Sequence, residues 1–272
     1  MRLAIHFAMM LAFAASATPA FTQRASNIAC PESIAPAYDL ANDPQRHELL
    51  TTQATACVRV RRPARAVALL SEIIRQTPTD AFAYLNRGSA QATAGELALA
   101  INDYTTSINL KPDLVEAWYD RGTMFMHLRR YQNAIADFTE AIRLKPDFAL
   151  GYCNRGLASF QLGDYDHALV DYSVAVEHDD TLNYCHLNRG TLYLALGEYQ
   201  KAIEDLTRAI GGKPSDAIAL SRRGQAREAL GQTNQALDDF RAALEANPQL
   251  DSAEEGFARI MAQQQRSDGA GK

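Results

Sequence analysis

The sequence predicts an all-α fold, a solenoid built from helix-turn-helix repeats of 34 residues. Two observations carry this prediction: single residues recur with a fixed step of 34, and each step contains two apolar stripes with helical spacing. A fixed period between about 20 and 50 residues is typical of repeat architectures. The recurring small residues are Gly88, Gly122, Gly156, Gly190 and Gly224, followed by Ala100, Ala134, Ala168, Ala202 and Ala236.

Each repeat is predicted to contain two helices. The residues of a stripe are mostly three or four positions apart, which places them on one face of a helix. In one repeat the stripes are Trp118, Tyr119, Gly122, Phe125 and Met126, then Ala134, Ile135, Phe138, Ala141 and Ile142. The turn between the helices is marked by Gly95, Gly163, Gly197 and Gly231, and by Arg129 in the one repeat that lacks this glycine. Prolines such as Pro112 and Pro146 are expected to end the second helices, because the residue before a proline disfavours the α region.

The glycine column predicts a close approach of the two helices. A glycine inside a helix costs about 1 kcal/mol relative to alanine, so five copies need a compensating contact. We expect that contact from a close approach of the two helices at the glycine and alanine columns. The large residues that recur on the second helices are then expected to fill the space toward the next repeat: Tyr104, Phe138, Tyr172, Leu206 and Phe240. The adjacent Gly211 and Gly212 are expected to weaken the last turn of one second helix and to soften the joint that follows.

The chain resembles the tetratricopeptide repeat family. Trp118, Gly122, Phe125, Ala134, Phe138 and Pro146 match the family pattern within one repeat, and five copies in one register cover residues 81–250. The resemblance implies a right-handed superhelical solenoid that binds other proteins. It is much less specific for function than for fold, because one fold serves many partners.

The remainder of the chain is predicted to frame this array. Residues 47–80 keep the register as a degenerate repeat, and residues 251–265 form a capping helix whose apolar edge is Phe257, Ile260 and Met261. Terminal repeats are often atypical because they cap the array. Residues 21–46 are expected to be an irregular lead-in, and residues 266–272 a disordered tail.

Residues 1–20 have the pattern of a secretory signal peptide. Arg2 precedes the apolar run Leu3–Ala15, and small residues follow, with cleavage expected after Ala17 or Ala20. The sequence therefore predicts a periplasmic or secreted protein with no stable membrane insertion after cleavage. An uncleaved N-terminal anchor is the alternative.

Four cysteines in an exported chain indicate disulfide bonds. Four cysteines allow three connectivities, and burial as free thiols is the alternative. We predict Cys30–Cys57 and Cys153–Cys185, because each pair joins regions that are expected to be neighbours.

Composition and motifs argue against several functions. The net charge is −5 without a basic block, which disfavours nucleic-acid binding. The sequence contains no phosphate-binding loop, H-E-x-x-H or G-x-S-x-G motif, so we predict no enzyme and no cofactor. A cluster of His178, Asp179, Asp180, Cys185 and His186 contains metal-ligand types, but its spacing matches no zinc pattern, so no metal is predicted. A metal- or ligand-responsive regulator that uses Cys185 and His186 remains an alternative.

The family resemblance implies a peptide-binding groove lined by the first helices. The column Asn86, Asp120, Asn154, Asn188 and Arg222 lies where the family often presents asparagines to a peptide, flanked by Tyr119, Met126, Leu157, Phe160, Tyr184 and Leu187. Leu85 and Tyr119 replace lysines of the family's carboxylate clamp, which disfavours binding of a C-terminal carboxylate. Protein or peptide is therefore the predicted partner, with self-assembly into a homo-oligomer as the rival.

A second column is ionic. Arg87, Arg121, Arg155, Arg189 and Arg223 precede the glycines, and Asp103, Asp137, Asp171, Asp205 and Asp239 lie on the second helices. We expect these to pair, within a repeat or with the next one, as a repeating bridge that fixes helix register. Each pair should contribute about 0–1 kcal/mol if it is exposed.

Overall fold

The computed structural model describes residues 29–31 and 44–270 of the 272-residue chain. These residues form thirteen α-helices, with no strand in the same ranges. The bounds are α1 Pro44–Arg59, α2 Pro63–Gln76, α3 Ala81–Thr93, α4 Leu97–Leu110, α5 Val115–His127, α6 Tyr131–Leu144, α7 Ala149–Gln161, α8 Tyr165–His178, α9 Asn183–Ala195, α10 Tyr199–Gly212, α11 Ala217–Ala229, α12 Thr233–Ala246 and α13 Asp251–Ala270. The predicted signal peptide and most of the predicted lead-in lie outside the described residues.

The chain divides into two compact units, Met1–Ala117 and Trp118–Lys272. In the first unit α1 packs on α2, α2 on α3 and α3 on α4. In the second unit each helix from α6 to α12 packs on the helix that follows it. The described chain is therefore an all-α helical-repeat fold, as the 34-residue period predicts, whereas the right-handed sense of the superhelix stays a prediction.

The glycine column marks a close approach between the two helices of each hairpin, as predicted. A Cβ atom added to Gly156 would lie 3.0 Å from Cδ1 of Tyr172 and 3.1 Å from Cβ of Asp171. The equivalent glycines of the other hairpins meet the equivalent large residues, all buried: Tyr104, Phe138, Leu206 and Phe240. The missing side chain on the first helix therefore makes room for the large side chain on the second. The large residues thus meet the glycine of their own hairpin, whereas the sequence predicts that they fill the space toward the next repeat.

The turns inside the hairpins share one backbone conformation. Gly95, Gly163, Gly197 and Gly231 have φ between 72° and 82°. Arg129 keeps this left-handed conformation without a glycine, at φ 55°, and Arg61 does the same at φ 58° in the degenerate repeat. A residue with a Cβ atom is strained there, so the tertiary packing of these two hairpins imposes the turn.

The four cysteines form the two pairs that the sequence predicts. Cys30 bonds Cys57, with Cα atoms 4.6 Å apart, and joins the described segment 29–31 to α1. Cys153 bonds Cys185, with Cα atoms 5.8 Å apart, and joins α7 to α9. The second bond thus connects the first helices of two successive hairpins.

Two boundaries differ from their predictions. Helix α1 begins at Pro44, ahead of the predicted start at residue 47, and α13 continues to Ala270 through the expected tail. Residues 261–266, Met-Ala-Gln-Gln-Gln-Arg, are all good helix formers and lead the helix into that tail. Helix α10 includes both Gly211 and Gly212, with the Asn183 amide against Gly212, and the softer joint after them stays a prediction.

The C-terminal helix covers the last hairpin. Ile260 is buried, and Phe257 packs against the same apolar cluster as Phe240. Met261 faces outward, so only two of the three residues of the predicted apolar edge contribute to the cap. Over the two described ranges, no helix is long and apolar enough to cross a membrane.

Candidate functional site

In the second unit, the first helices of successive hairpins are joined side by side. A hydrogen bond links α5 to α7, a disulfide bond links α7 to α9, and Arg222 of α11 contacts the hydroxyl of Thr191 on α9. We call the surface formed by α5 from Trp118 onward, α7, α9 and α11 the first-helix wall. Ten of the eleven sequence-predicted groove residues lie on the helices of this wall. The eleventh, Asn86, lies on α3 in the first unit.

Asn154 supports the wall rather than facing a ligand. It is 5% exposed, and its Nδ2 donates a 2.9 Å hydrogen bond to the Tyr119 hydroxyl. The Tyr119 ring lies between Phe138 and Phe148, with ring centroids 5.8 and 5.0 Å away. Burial, helped by the nearby Asp120 charge, raises the pKa of Tyr119 to about 12. The burial of Asn154 and its bond to Tyr119 do not favour an amide that faces a peptide, and the role of Asn154 in binding stays a prediction.

Met126 and Leu157 are also core residues rather than groove residues. Both are buried in the apolar cluster that contains Phe138 and Tyr172. Each lies on the side of its first helix that packs on neighbouring helices, which removes it from the ligand-accessible surface. Phe160 is half-buried at the edge of this cluster, where its ring packs 5.4 Å from the ring of Tyr165.

Helix α9 offers a different arrangement. Tyr184, Leu187 and Asn188 are half-buried, and neither the Asn188 amide nor the Tyr184 hydroxyl makes a hydrogen bond to any residue that the structure describes. Burial strongly raises the pKa of Tyr184, so its phenol stays a neutral donor. Positions i and i+4 share one helix face, so the two polar groups are neighbours.

Arg222 stands at the same register as Asn188, one hairpin further on. It is half-buried, and desolvation lowers its pKa to about 10, partly offset by Asp216. It remains a cation at neutral pH. The wall therefore changes from an amide on α9 to a positive charge on α11.

The arginine and aspartate columns form five ion pairs inside the hairpins. Each arginine donates two hydrogen bonds to one carboxylate, with shortest N–O distances between 2.6 and 2.8 Å. All five carboxylates are buried, which the sequence did not predict. A buried pair behaves differently from an exposed one, because removal of one partner leaves the other charge desolvated.

His186 belongs to an ionic network of its own. Its Nδ1 lies 3.1 Å from Oδ1 of Asp205, and its Nε2 lies 3.1 Å from Oδ1 of Asp180, which also pairs with Arg208. With a carboxylate at each ring nitrogen, the protonated ring is favoured, and the hydrogen bond to Asp205 is the main cause that raises the pKa of His186. Asp180 occupies the position where other repeats have a proline. Asp180 and His186 both depart from the repeat pattern, and these two residues contact each other.

This network also bears on the metal alternative. Cys185 is bonded to Cys153, and His186 is engaged by carboxylates. Within the part of the chain that the structure describes, no three His, Cys, Asp or Glu side chains are grouped to hold a metal ion.

The raised pKa of His186 predicts a pH-dependent stability. The charged ring contributes stability that is fully present below the pKa of the unfolded histidine, about 6.5, and lost as pH rises through the folded pKa. We expect the free energy of unfolding to fall across this range, and His186→Gln to remove that component. Urea unfolding at a series of pH values, together with the NMR titration of the His186 ring, measures this component.

A His167→Gln variant is the control, because the pKa of the exposed His167 beside Asp164 is also raised. Equal pH profiles for the parent and His186→Gln would contradict the prediction.

The comparisons with known proteins agree on the fold. A family model described as tetratricopeptide repeat matches residues 51–108 and 187–270, more than half of the chain. A second model with that description matches residues 115–148, and a model of anaphase-promoting complex subunit 5 matches residues 156–213. No curated protein sequence is significantly similar to this chain.

Several solved structures are similar. YrrB, described as a TPR protein with an unusual peptide-binding site, has 20% identity and a TM-score of 0.59, covering 68% of this chain and 96% of its own. MamA has 26% identity and a TM-score of 0.56, covering 62% and 92%. The pilF protein of Pseudomonas aeruginosa has 16% identity and a TM-score of 0.73, covering 79% and 98%.

Proposed function

Because this chain belongs to the tetratricopeptide repeat family, we propose that it is a non-enzymatic scaffold that binds a peptide or partner protein on its first-helix wall. Repeat arrays of this kind present extended surfaces to their partners. The observation that carries the proposal is the pair of unsatisfied polar groups on α9, the Tyr184 hydroxyl and the Asn188 amide.

These two groups suit a peptide backbone. An asparagine amide donates and accepts at the same time, so Asn188 matches the paired N–H and C=O of one peptide unit. The Tyr184 hydroxyl, one turn away, donates to a further carbonyl. Leu187, which is partly exposed and directly precedes Asn188, supplies apolar contact for a side chain of the ligand. We therefore propose an extended segment with an apolar side chain as the ligand.

The proposal predicts which asparagine matters for binding. Peptides selected on the full chain from a random display library serve as the probe, and their Kd is measured by calorimetry. Asn188→Ala combined with Tyr184→Phe should weaken binding by roughly tenfold or more, because each lost hydrogen bond costs on the order of 1 kcal/mol. The melting temperature should change little, because neither group bonds to the rest of the described chain.

Two matched variants control this experiment. Asn154→Ala, in the same register, should lower the melting temperature because it removes the partner of Tyr119. Glu140→Lys changes an exposed pair on α6, away from the wall, and should leave Kd unchanged. N-methylation of the contacted peptide bond should reproduce the loss seen in the double variant. Selected peptides that bind the double variant as tightly as the parent would place the binding surface elsewhere.

We also propose that the protein works outside the cytoplasm, in a periplasm or in the extracellular space. Two disulfide pairs support this location, because such bonds persist mainly in oxidising compartments. The apolar run that begins at Leu3 supplies the export segment. Mass spectrometry of the native protein should find a chain that starts at Thr18 or Phe21. A membrane-bound chain that retains Met1 would refute cleavage.

A further inference from the structure

A stripe of exposed leucines runs along the hairpin tips of the second unit. Each leucine comes directly before the left-handed turn residue, and their exposed fractions are 39%, 42%, 49% and 43% at Leu128, Leu162, Leu196 and Leu230. We call the surface formed by these leucines and the turns after them the tip edge. Single exposed leucines are common on proteins. Four in one register on consecutive hairpins repeat an exposed apolar residue along one edge, and clustered exposed apolar residues mark interfaces.

The charges beside this row change sign between two neighbouring tips. Arg129 and Arg130 follow Leu128, are exposed, and form no ion pair with the described part of the chain. Asp164 and Asp166 follow Leu162 and are exposed, and only Asp164 has a partner, the exposed ring of His167. One tip is therefore positive and the next one negative, at equivalent positions of the repeat.

A surface of this pattern is complementary to itself. If two copies meet antiparallel, with a two-fold axis between the α5–α6 tip and the α7–α8 tip, the positive tip of each faces the negative tip of the other. The apolar residues of the two rows then meet, Leu128 of one copy against Leu162 of the second copy. An isologous contact needs this self-complementarity, whereas an unrelated partner does not.

We propose that the tip edge of the second unit binds a second copy of this chain in this antiparallel arrangement. The contact involves two tips from each copy, so it is small, and the dimer is weak and salt-sensitive. It leaves Tyr184 and Asn188 outside the interface. A result that rejects this dimer would therefore leave the proposed peptide binding intact. A result that rejects peptide binding would likewise leave the proposed dimer intact.

Sedimentation of the full chain over a range of concentrations tests the proposal. The parent should dimerise reversibly, more weakly as salt is added. Arg129→Asp with Arg130→Asp makes both tips negative, and Asp164→Arg with Asp166→Arg makes both positive. Each double variant should weaken dimerisation at least tenfold, because like charges then face each other. Aspartate tolerates the left-handed conformation at position 129, and circular dichroism verifies that both variants fold.

The decisive measurement mixes the two variants. A negative copy and a positive copy present opposite charges at both contacts, so the mixture should form a heterodimer, and a chain with all four changes should dimerise like the parent. Glu140→Lys, away from the tips, should behave as the parent does. A parent that stays monomeric at the highest concentration, double variants that dimerise normally, or folded variants that fail to pair when mixed would each overturn the proposal.

Discussion

Gly156→Leu should destabilise the protein by about 3 kcal/mol or more, the larger of the two effects that we expect from single substitutions. Even a Cβ atom at this position would lie 3.0 Å from the Tyr172 ring, and Tyr172 is only 1% exposed. Overpacking of a filled core typically costs 1–3 kcal/mol, and leucine adds three carbons beyond Cβ. Urea unfolding followed by circular dichroism measures the change.

Two alanine variants separate the packing effect from helix propensity. Alanine is a better helix former than glycine by about 1 kcal/mol. Gly211→Ala on α10 should stabilise the protein by up to that amount, because an added Cβ meets nothing within 4 Å. Gly156→Ala should destabilise it in spite of the same propensity gain. If both substitutions stabilised the protein equally, the close approach of α7 and α8 would not explain the glycine column.

The repeat period was sufficient to predict the fold and much of its interior. It identified the hairpins, their turns and the close approach at glycines such as Gly156, because each hairpin repeats the same contacts. It did not identify Tyr172 as the residue that meets Gly156, because the period alone does not show which side of the second helix faces its own hairpin. It did not identify Arg61 as the turn residue of the degenerate repeat, although Arg61 lies exactly one period before Gly95. An arginine is not expected in the left-handed region, so only the register indicates it.

The candidate site was harder to predict, because it depends on which residue faces each member of a column. Asn154 and Asn188 have the same residue type and register. Asn154 meets the hydroxyl of Tyr119, whereas the residue equivalent to Tyr119 one hairpin later is Cys153, which is bonded to Cys185 and offers no hydroxyl. Asn188 consequently keeps its amide unsatisfied. The recurrence of one residue type at one repeat position does not show which residue of the neighbouring hairpin it contacts.

The ionic columns illustrate the same limit. The sequence predicts that the arginine and aspartate columns pair, but not that Arg155 pairs with Asp171 of its own hairpin. The free energy of the pair also depends on burial, which comes from the packing of both helices. Asp171 is 5% exposed and accepts hydrogen bonds of 2.8 and 2.7 Å from Nε and Nη2 of Arg155. The hydrogen bonds to Asp171 are the main cause that raises the pKa of Arg155. Without Asp171 the guanidinium still remains charged at neutral pH, because an arginine side chain is not deprotonated in proteins.

Asp171→Ala should therefore cost about 3 kcal/mol, because it leaves the partly buried Arg155 cation without its carboxylate. The exposed pair of Asp238 and Arg241 provides the matched control, and Asp238→Ala should change stability by less than about 0.5 kcal/mol. Urea unfolding at neutral pH measures both variants.

The double variant Asp171→Leu with Arg155→Met tests the cause of that loss. If the penalty comes from an uncompensated charge, an apolar pair of similar volume should recover much of the lost stability, since buried ion pairs often contribute little net free energy relative to well-packed apolar residues. If the loss comes instead from the hydrogen bonds themselves, the double variant should be no more stable than Asp171→Ala. A cost for Asp171→Ala as small as that for Asp238→Ala would show that the buried column does not stabilise the hairpins.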